Sequence, residues 1–194
     1  MAEKHWKPGE PKGDPARHLP GEILEARLRE RPADPLESGR VSLIVRRLDD
    51  GTRETLERAL LSREEGVPGD DWHKRPPRDP EAQLAVMQTS VARLIANGEP
   101  LTTFGDDLFV ELDLSAANLP MGTRLAVGQA IVEVTPKSHD GCSKFDARFG
   151  HDALRFVQAP TTRAENRRGI YWKVVTSGEI VVGDAVRVLR RTPT

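Results

Sequence analysis

The chain has 194 residues, with 29 Lys+Arg against 30 Asp+Glu, a formal net charge of −1, 37% hydrophobic residues and 5% aromatic ones. That length suits one domain with a tail and a modest core, and the balanced charge lacks the basic excess expected of a nucleic-acid partner. A single cysteine, Cys142, excludes an intrachain disulfide and a multi-thiolate zinc site.

No run of about 18 apolar residues is present to span a bilayer. The opening residues 1–14 hold none of the apolar stretch of a secretory signal. A reducing, cytoplasmic setting is the expectation.

Residues 1–38 form a first unit by composition. Pro8, Pro11, Pro15 and Pro20 with Gly9 and Gly13 preclude a helix or central strand over the first twenty residues. They read as an extended arm, either disordered or draped over the body. A short charged helix is expected at Glu22–Glu30, ended by Pro32 and Pro35.

The second unit, 39–192, opens with the β-branched run Val41–Val45. Asp50-Gly51 is a hairpin-turn dipeptide, and a returning strand is expected over Arg53–Leu61. Residues 66–77 carry Gly66, Pro68, Gly69 and a polar stretch without periodicity, which predicts a loop.

Asp79 as N-cap, Pro80 at the first helical position and Gly98 as a stop predict one helix between them. Leu84, Met87, Val91, Leu94 and Ile95 fall on one of its faces and read as core packing. Beyond it, short β-rich runs are expected at Asp107–Leu112, Arg124–Val127, Ala130–Thr135, Ile170–Val175, Glu179–Val182 and Ala185–Leu189. Gly128-Gln129 and Gly183-Asp184 sit at hairpin spacing. A mainly β (α+β) fold with one prominent helix, a barrel or a sandwich, follows.

The chemistry concentrates around Cys142, expected in a loop after the strand ending at Thr135-Pro136. A thiolate is what a nucleophile and a soft-metal ligand both require, and nearby cations such as Lys144 and Arg148 favour that form. Gly141 would let the backbone approach a ligand closely, and His139 would donate a proton or bind a metal. The plain alternative is a lone buried Cys acting as a small hydrophobe. A zinc set of His139, Cys142 and His151 matches no strong zinc spacing. Residues 137–173 hold eight Lys/Arg against four acids, a local excess that attracts anions, although the Arg163–Arg168 stretch also reads as a solvated loop. His73, Lys74 and Arg75 form a second cationic loop.

His139–Gly150 (HDGCSKFDARFG), Arg168–Val175 (RGIYWKVV) and Gly178–Asp184 (GEIVVGD) together resemble the MOSC domain, the C-terminal domain of molybdenum-cofactor sulfurases that also occurs alone in small bacterial proteins. The hairpin at Gly39–Leu61, the stretch Gly69–Arg75, Gly105–Val110 and Leu119–Gly122 resemble the same family in the same order. The likeness covers residues 39–190 and leaves the arm outside.

The resemblance implies a MOSC-like β-barrel with short peripheral helices and a cleft for a molybdenum cofactor. It assigns Cys142 as the molybdenum ligand of a reductase, or as the carrier of a persulfide in sulfur transfer. The cofactor is a pterin bearing a phosphate, so Lys144, Arg148, His73, Lys74 and Arg75 are candidates for its anionic groups, with His139 beside the cysteine.

The pyridoxal-phosphate domain of the sulfurases does not fit in 194 residues, and one cysteine cannot ligate an iron–sulfur cluster. Electrons would come from a separate donor, and sulfur from a separate cysteine desulfurase. Three functions are compatible with these residues: a molybdenum-dependent oxidoreductase acting on small N-hydroxylated compounds, a sulfur carrier or cofactor-delivery module, and a non-catalytic ligand-binding protein.

Overall fold

The computed structural model describes residues 6–74 and 77–192. The strands are β1 (Ser38–Arg47), β2 (Arg53–Leu56), β3 (Arg58–Leu61), β4 (Leu84–Gln88), β5 (Leu108–Val110), β6 (Arg124–Val127), β7 (Ala130–Val134), β8 (Ile170–Thr176), β9 (Gly178–Val181) and β10 (Ala185–Arg190). The helices are α1 (Gly21–Glu30), α2 (Thr89–Ala96), α3 (Ser143–Phe149) and α4 (His151–Gln158).

Seven strands close into a barrel in the order β1-β10-β6-β7-β8-β4-β5, with β5 pairing back to β1. Closure leaves no open edge along the circuit. Among the described strands only the β4–β5 pair is parallel, and α2 lies in the crossover between them. β2 extends the sheet from β1, while β3 and β9 pair separately.

Local sequence accounts for most of this. The turn after β1 is made by Gly51 at φ +94°, with Asp50 Oδ1 accepting from the Thr52 amide at 2.9 Å and hydroxyl at 2.7 Å. Period-two alternation turns Leu125 and Val127 of β6, Ala130, Val132 and Val134 of β7, and Ile170, Trp172 and Val174 of β8 into the barrel. A second apolar layer, with Leu24, Met87, Val91, Phe104, Phe109, Phe149 and Phe156, joins the helices to the outer wall. Among the described residues, no helix is long and apolar enough to cross a membrane.

Two sequence expectations are corrected. The helix read over Asp79–Gly98 is half strand: Asp79 caps a single 3-10 turn at Pro80–Ala82, β4 follows, and only Thr89–Ala96 is helical. β4 is buried on both faces, Leu84 and Val86 in the barrel and Met87 in the outer layer. A strand covered on both sides reads as a continuous apolar run, which helical spacing also fits. The returning strand at Arg53–Leu61 is likewise two strands, since after Leu56 the chain leaves β1 and β3 pairs with β9. Over residues 6–20 the arm is draped: Gly9 donates to the Asp50 carbonyl at 2.9 Å, and Leu19, partly buried, packs against the outer apolar layer.

Candidate functional site

Cys142 stands at the N-cap of α3, with extended backbone, and its carbonyl accepts the Asp146 amide at 3.0 Å. Its side chain makes no capping hydrogen bond and is exposed, which replaces the buried-hydrophobe alternative. The preceding Gly141 is pinned by α4. Gln158 Nε2 donates to the Gly141 carbonyl at 2.7 Å, and a Cβ there would stand 2.5 Å from Leu154 Cδ1. The close approach that Gly141 permits is therefore to α4, and it fixes the thiol at the helix start.

α3 carries Lys144 and Arg148 from Cys142 toward a third cation, Arg53 of β2. All three surround Glu10 of the arm. Lys144 Nζ lies 2.6 Å from Glu10 Oε2, Arg148 Nη2 lies 3.1 Å from Oε1, and Arg53 Nη2 lies 3.8 Å from Oε1. The Glu10 and Arg148 side chains are 8% and 6% exposed. The Trp6 ring covers Lys144 and Arg148, with centroid distances of 5.5 and 5.2 Å.

Burial works against the charge of Glu10, but the hydrogen bonds from Lys144 and the Lys7 amide and the charges of Lys144 and Arg148 hold its carboxyl below the usual range. Burial, with the charges of Arg148 and Arg47, brings Arg53 down to about 10. Arg148 is also lowered, by burial first and by Arg168, against the pull of Glu10 and Cys142.

A second, buried polar layer adjoins this cluster through the 104–107 turn. Arg53 Nε donates to the Phe104 carbonyl at 3.4 Å and Arg47 Nη1 to the Gly105 carbonyl at 2.9 Å. Arg47 also binds Asp70 through Nε and Nη2, at 2.9 and 2.6 Å, and Asp107 at 2.9 Å. Arg168 Nη1 lies 2.9 Å from both oxygens of Asp106, and its guanidinium packs 5.2 Å from the Phe145 ring of α3.

Burial raises the Asp107 carboxyl well above the carboxylate range, with Arg47 opposing. His139 is driven well below its ordinary value by burial and by Arg168 and Arg47. In this layer Arg47 faces Asp70 and Asp107, and Arg168 faces Asp106, so each cation has a carboxylate of its own. The cluster above it differs, since three cations share one carboxylate.

His139 therefore lies within the buried layer. Its Nδ1 is 3.6 Å from Asp106 Oδ1 without a hydrogen bond, and its ring is 4.3 Å from that of Tyr171. His73 is engaged by Arg78 at 2.9 Å, and Lys74 by Asp49 at 2.9 Å on the surface. Neither shares a described partner with Cys142, Lys144 or Arg148, and Arg75 lies outside the described residues. His151 is exposed beside Asp146. Among the described residues, no group of three or more His, Cys, Asp or Glu is arranged to hold a metal ion.

Several site residues were missed by sequence reasoning: Glu10, Arg47, Arg53, Asp70, Asp106 and Asp107. The adjacent acids Asp106-Asp107 just before an apolar strand were the available signal. Arg167 and Arg168 do not belong to a solvated loop. Arg168 is held by Asp106, and Arg167 is buried against Phe156 with Glu25 and Glu165 as partners.

Residues 68–187 match the MOSC domain family, and the chain belongs to it. Its fold is similar to the crystal structures of YiiM from Escherichia coli (18% identity, TM-score 0.54, covering 80% of this chain and 72% of that one) and of YUAD from Bacillus subtilis (15% identity, TM-score 0.55, covering 78% and 95%). A third structure, of a hypothetical protein, aligns at 18% identity with a TM-score of 0.54, covering 79% of this chain and 68% of that one. No curated protein matches the chain.

MOSC domains are associated with molybdenum cofactor. The donor set is chemically suited to such a group: an exposed thiol for a soft metal, a cationic trio for a phosphate, and two buried nitrogens, His139 Nδ1 and Arg168 Nε, without hydrogen-bond partners.

Proposed function

We propose that this MOSC domain holds a molybdenum cofactor through Cys142 and acts as an oxidoreductase on small N-hydroxylated compounds, with electrons from a separate donor. The observation that carries the reading is the surplus of positive charge on the helix that starts at Cys142. Lys144 and Arg148, joined by Arg53, face a single carboxylate. Such an excess in a partly buried site favours an anionic ligand.

When bound, the cofactor supplies the redox chemistry at its metal. Cys142 Sγ is the soft ligand, held in place by the packing of Gly141 on α4. Lys144, Arg148 and Arg53 are the binding groups for the phosphate. His139, three residues before Cys142, is the proton donor of that loop, and Asp106 with Arg168 fixes the polar floor around it.

The test is elemental analysis of protein made in cells competent and incompetent for cofactor synthesis. Near-stoichiometric molybdenum that disappears with Cys142→Ala is the expected result. Absence of metal from both preparations would overturn the reading and leave persulfide transfer or a ligand-binding role.

A second reading, a persulfide carrier, is favoured by the exposure of Cys142, because another protein can reach its sulfur. It requires a mass increase of one sulfur on Cys142 after incubation with a cysteine desulfurase and free cysteine. No adduct under those conditions rejects it.

A further inference from the structure

We infer that the N-terminal arm is an internal occupant of the anion site: Glu10 stands on Arg53, Lys144 and Arg148 in the place of a phosphate group, and a phosphate-bearing ligand enters by displacing the arm. This deepens the reading above and rests on it for the identity of the natural ligand. The three cations and their occupant are given by the structure alone.

The first argument is valence. A carboxylate has two oxygens, and Glu10 commits one to Lys144 and one to Arg148. Arg53 Nη2 is left 3.8 Å from Oε1, too far for a hydrogen bond. A tetrahedral dianion offers one more oxygen and one more charge, enough to engage all three cations. The site is therefore incompletely matched by its internal occupant and better matched by a phosphate monoester.

The second argument is how the arm is attached. The arm first packs against the apolar core at Leu19, beyond the segment 6–13. Contacts over residues 6–13 are polar or backbone-to-backbone: Lys7 to Asp71 at 2.8 Å, Gly9 N–H to the Asp50 carbonyl at 2.9 Å, and the Pro11 carbonyl accepting from Arg148 Nε at 2.9 Å. Gly13, at φ +77°, passes so close to α3 that a Cβ would stand 2.2 Å from the Arg148 carbonyl oxygen. A segment held by ion pairs, one ring-on-cation contact and close backbone contacts, with none of its residues in the apolar core, opens at low cost. Its departure exposes the whole cationic face of α3, because Trp6 covers the same two side chains that Glu10 pairs.

The experiment is a calorimetric titration of inorganic phosphate into the full chain at low salt, with native folding checked by thermal melting. Three proteins are compared: wild type, Glu10→Gln, and Gly13→Ala. Glu10→Gln removes the competing charge. Gly13→Ala lifts the arm by a backbone clash and leaves Glu10 and all three cations intact.

Both variants are expected to bind phosphate at least about tenfold more tightly than wild type, since the site is no longer withheld in the arm-docked state. Adding Arg53→Met to Glu10→Gln should abolish the gain. In wild type, phosphate should change the emission of Trp6, read as the difference from Trp6→Phe. Equal phosphate affinity in all three proteins, or a gain that survives Arg53→Met, would overturn the inference.

Molybdenum content of the same proteins from cofactor-producing cells separates the two readings. A phosphate gain with no molybdenum in any of them supports the displaceable arm and rejects the cofactor as its ligand. Molybdenum retained with unchanged phosphate affinities rejects the arm and leaves the cofactor reading standing.

Discussion

Arg168 directs a single nitrogen, Nη1, at both carboxylate oxygens of Asp106, each 2.9 Å away, in a region where Asp106 has no solvent exposure. The two residues come from the turn before β5 and the turn before β8. Their pairing ties the floor of the site to the barrel wall. Asp106→Asn removes the charge and leaves a buried guanidinium without its anion, and is expected to cost about 3–5 kcal/mol in urea unfolding. The double replacement Asp106→Leu with Arg168→Met should cost less than Asp106→Asn alone. A single replacement within experimental error of wild type would show that the pair carries no such load.

His139 sets a pH dependence whose sign follows from its environment. Burial first, then Arg168 and Arg47, hold its folded-state pKa well below the ordinary 6.5. Below about pH 6.5 the unfolded chain takes up a proton that the native state refuses. The contribution of His139 to stability is therefore whole above that pH and declines as the pH falls from there, by at most about 1.4 kcal/mol per unit. Urea midpoints measured from pH 7.5 to 5 should fall less steeply for His139→Gln than for wild type. Parallel curves would contradict the assignment.

Cys142 separates ligand binding from stability. Its side chain is exposed and makes no capping hydrogen bond, so Cys142→Ser should leave the unfolding free energy within about 0.5 kcal/mol of wild type. The same change should abolish molybdenum retention in cofactor-producing cells. The native wild-type thiol should be alkylated at a rate close to that of the unfolded chain. Slow alkylation would mean that the sulfur is covered.

Gly169 links Arg168 to β8. It adopts φ +88°, and a Cβ there would stand 2.1 Å from the carbonyl oxygen of Val86 in β4. Gly169→Ala must distort the β4–β8 pairing at Val86 and Ile170 and turn the Arg168 backbone away from Asp106. A loss of at least about 1–3 kcal/mol is expected, read as a lowered melting temperature. An unshifted transition would place the strain elsewhere.

The barrel was legible wherever one face of a strand meets the core and the other meets solvent. Arg124–Val127 is a strand as expected, and Gly128-Gln129 turns the β6–β7 hairpin, whereas Gly183-Asp184 joins two strands that do not pair with each other, since β9 pairs with β3 and β10 with β1 and β6. Legibility failed at Leu84–Gln88, where burial on both faces erases the period of two. It failed again at α3 and α4, because Gly150 interrupts the pattern and charged residues populate both helices.

The site divides in the same way. Cys142, Lys144 and Arg148 lie within one helical segment, so their association could be read along the chain. Glu10, Arg53, Asp106 and Arg168 meet only after the sheet has closed, and no local pattern announces that meeting. Lys74 had the right charge, but it and His73 found partners of their own in Asp49 and Arg78.

The seam of the barrel sets the order in which the site can be built. β1 is completed on one side by β10, with Ser38 opposite Arg187. During synthesis, the first strand therefore waits for a partner that leaves the ribosome nearly a whole domain later. Such distant pairing slows folding and leaves the β1 backbone at Ser38, Gly39 and Arg40 unpaired meanwhile. The helix bearing Cys142 emerges well before β10 and can form early. The cysteine would thus be available to solution chemistry in the nascent chain before the floor of buried ion pairs has any wall to lock into.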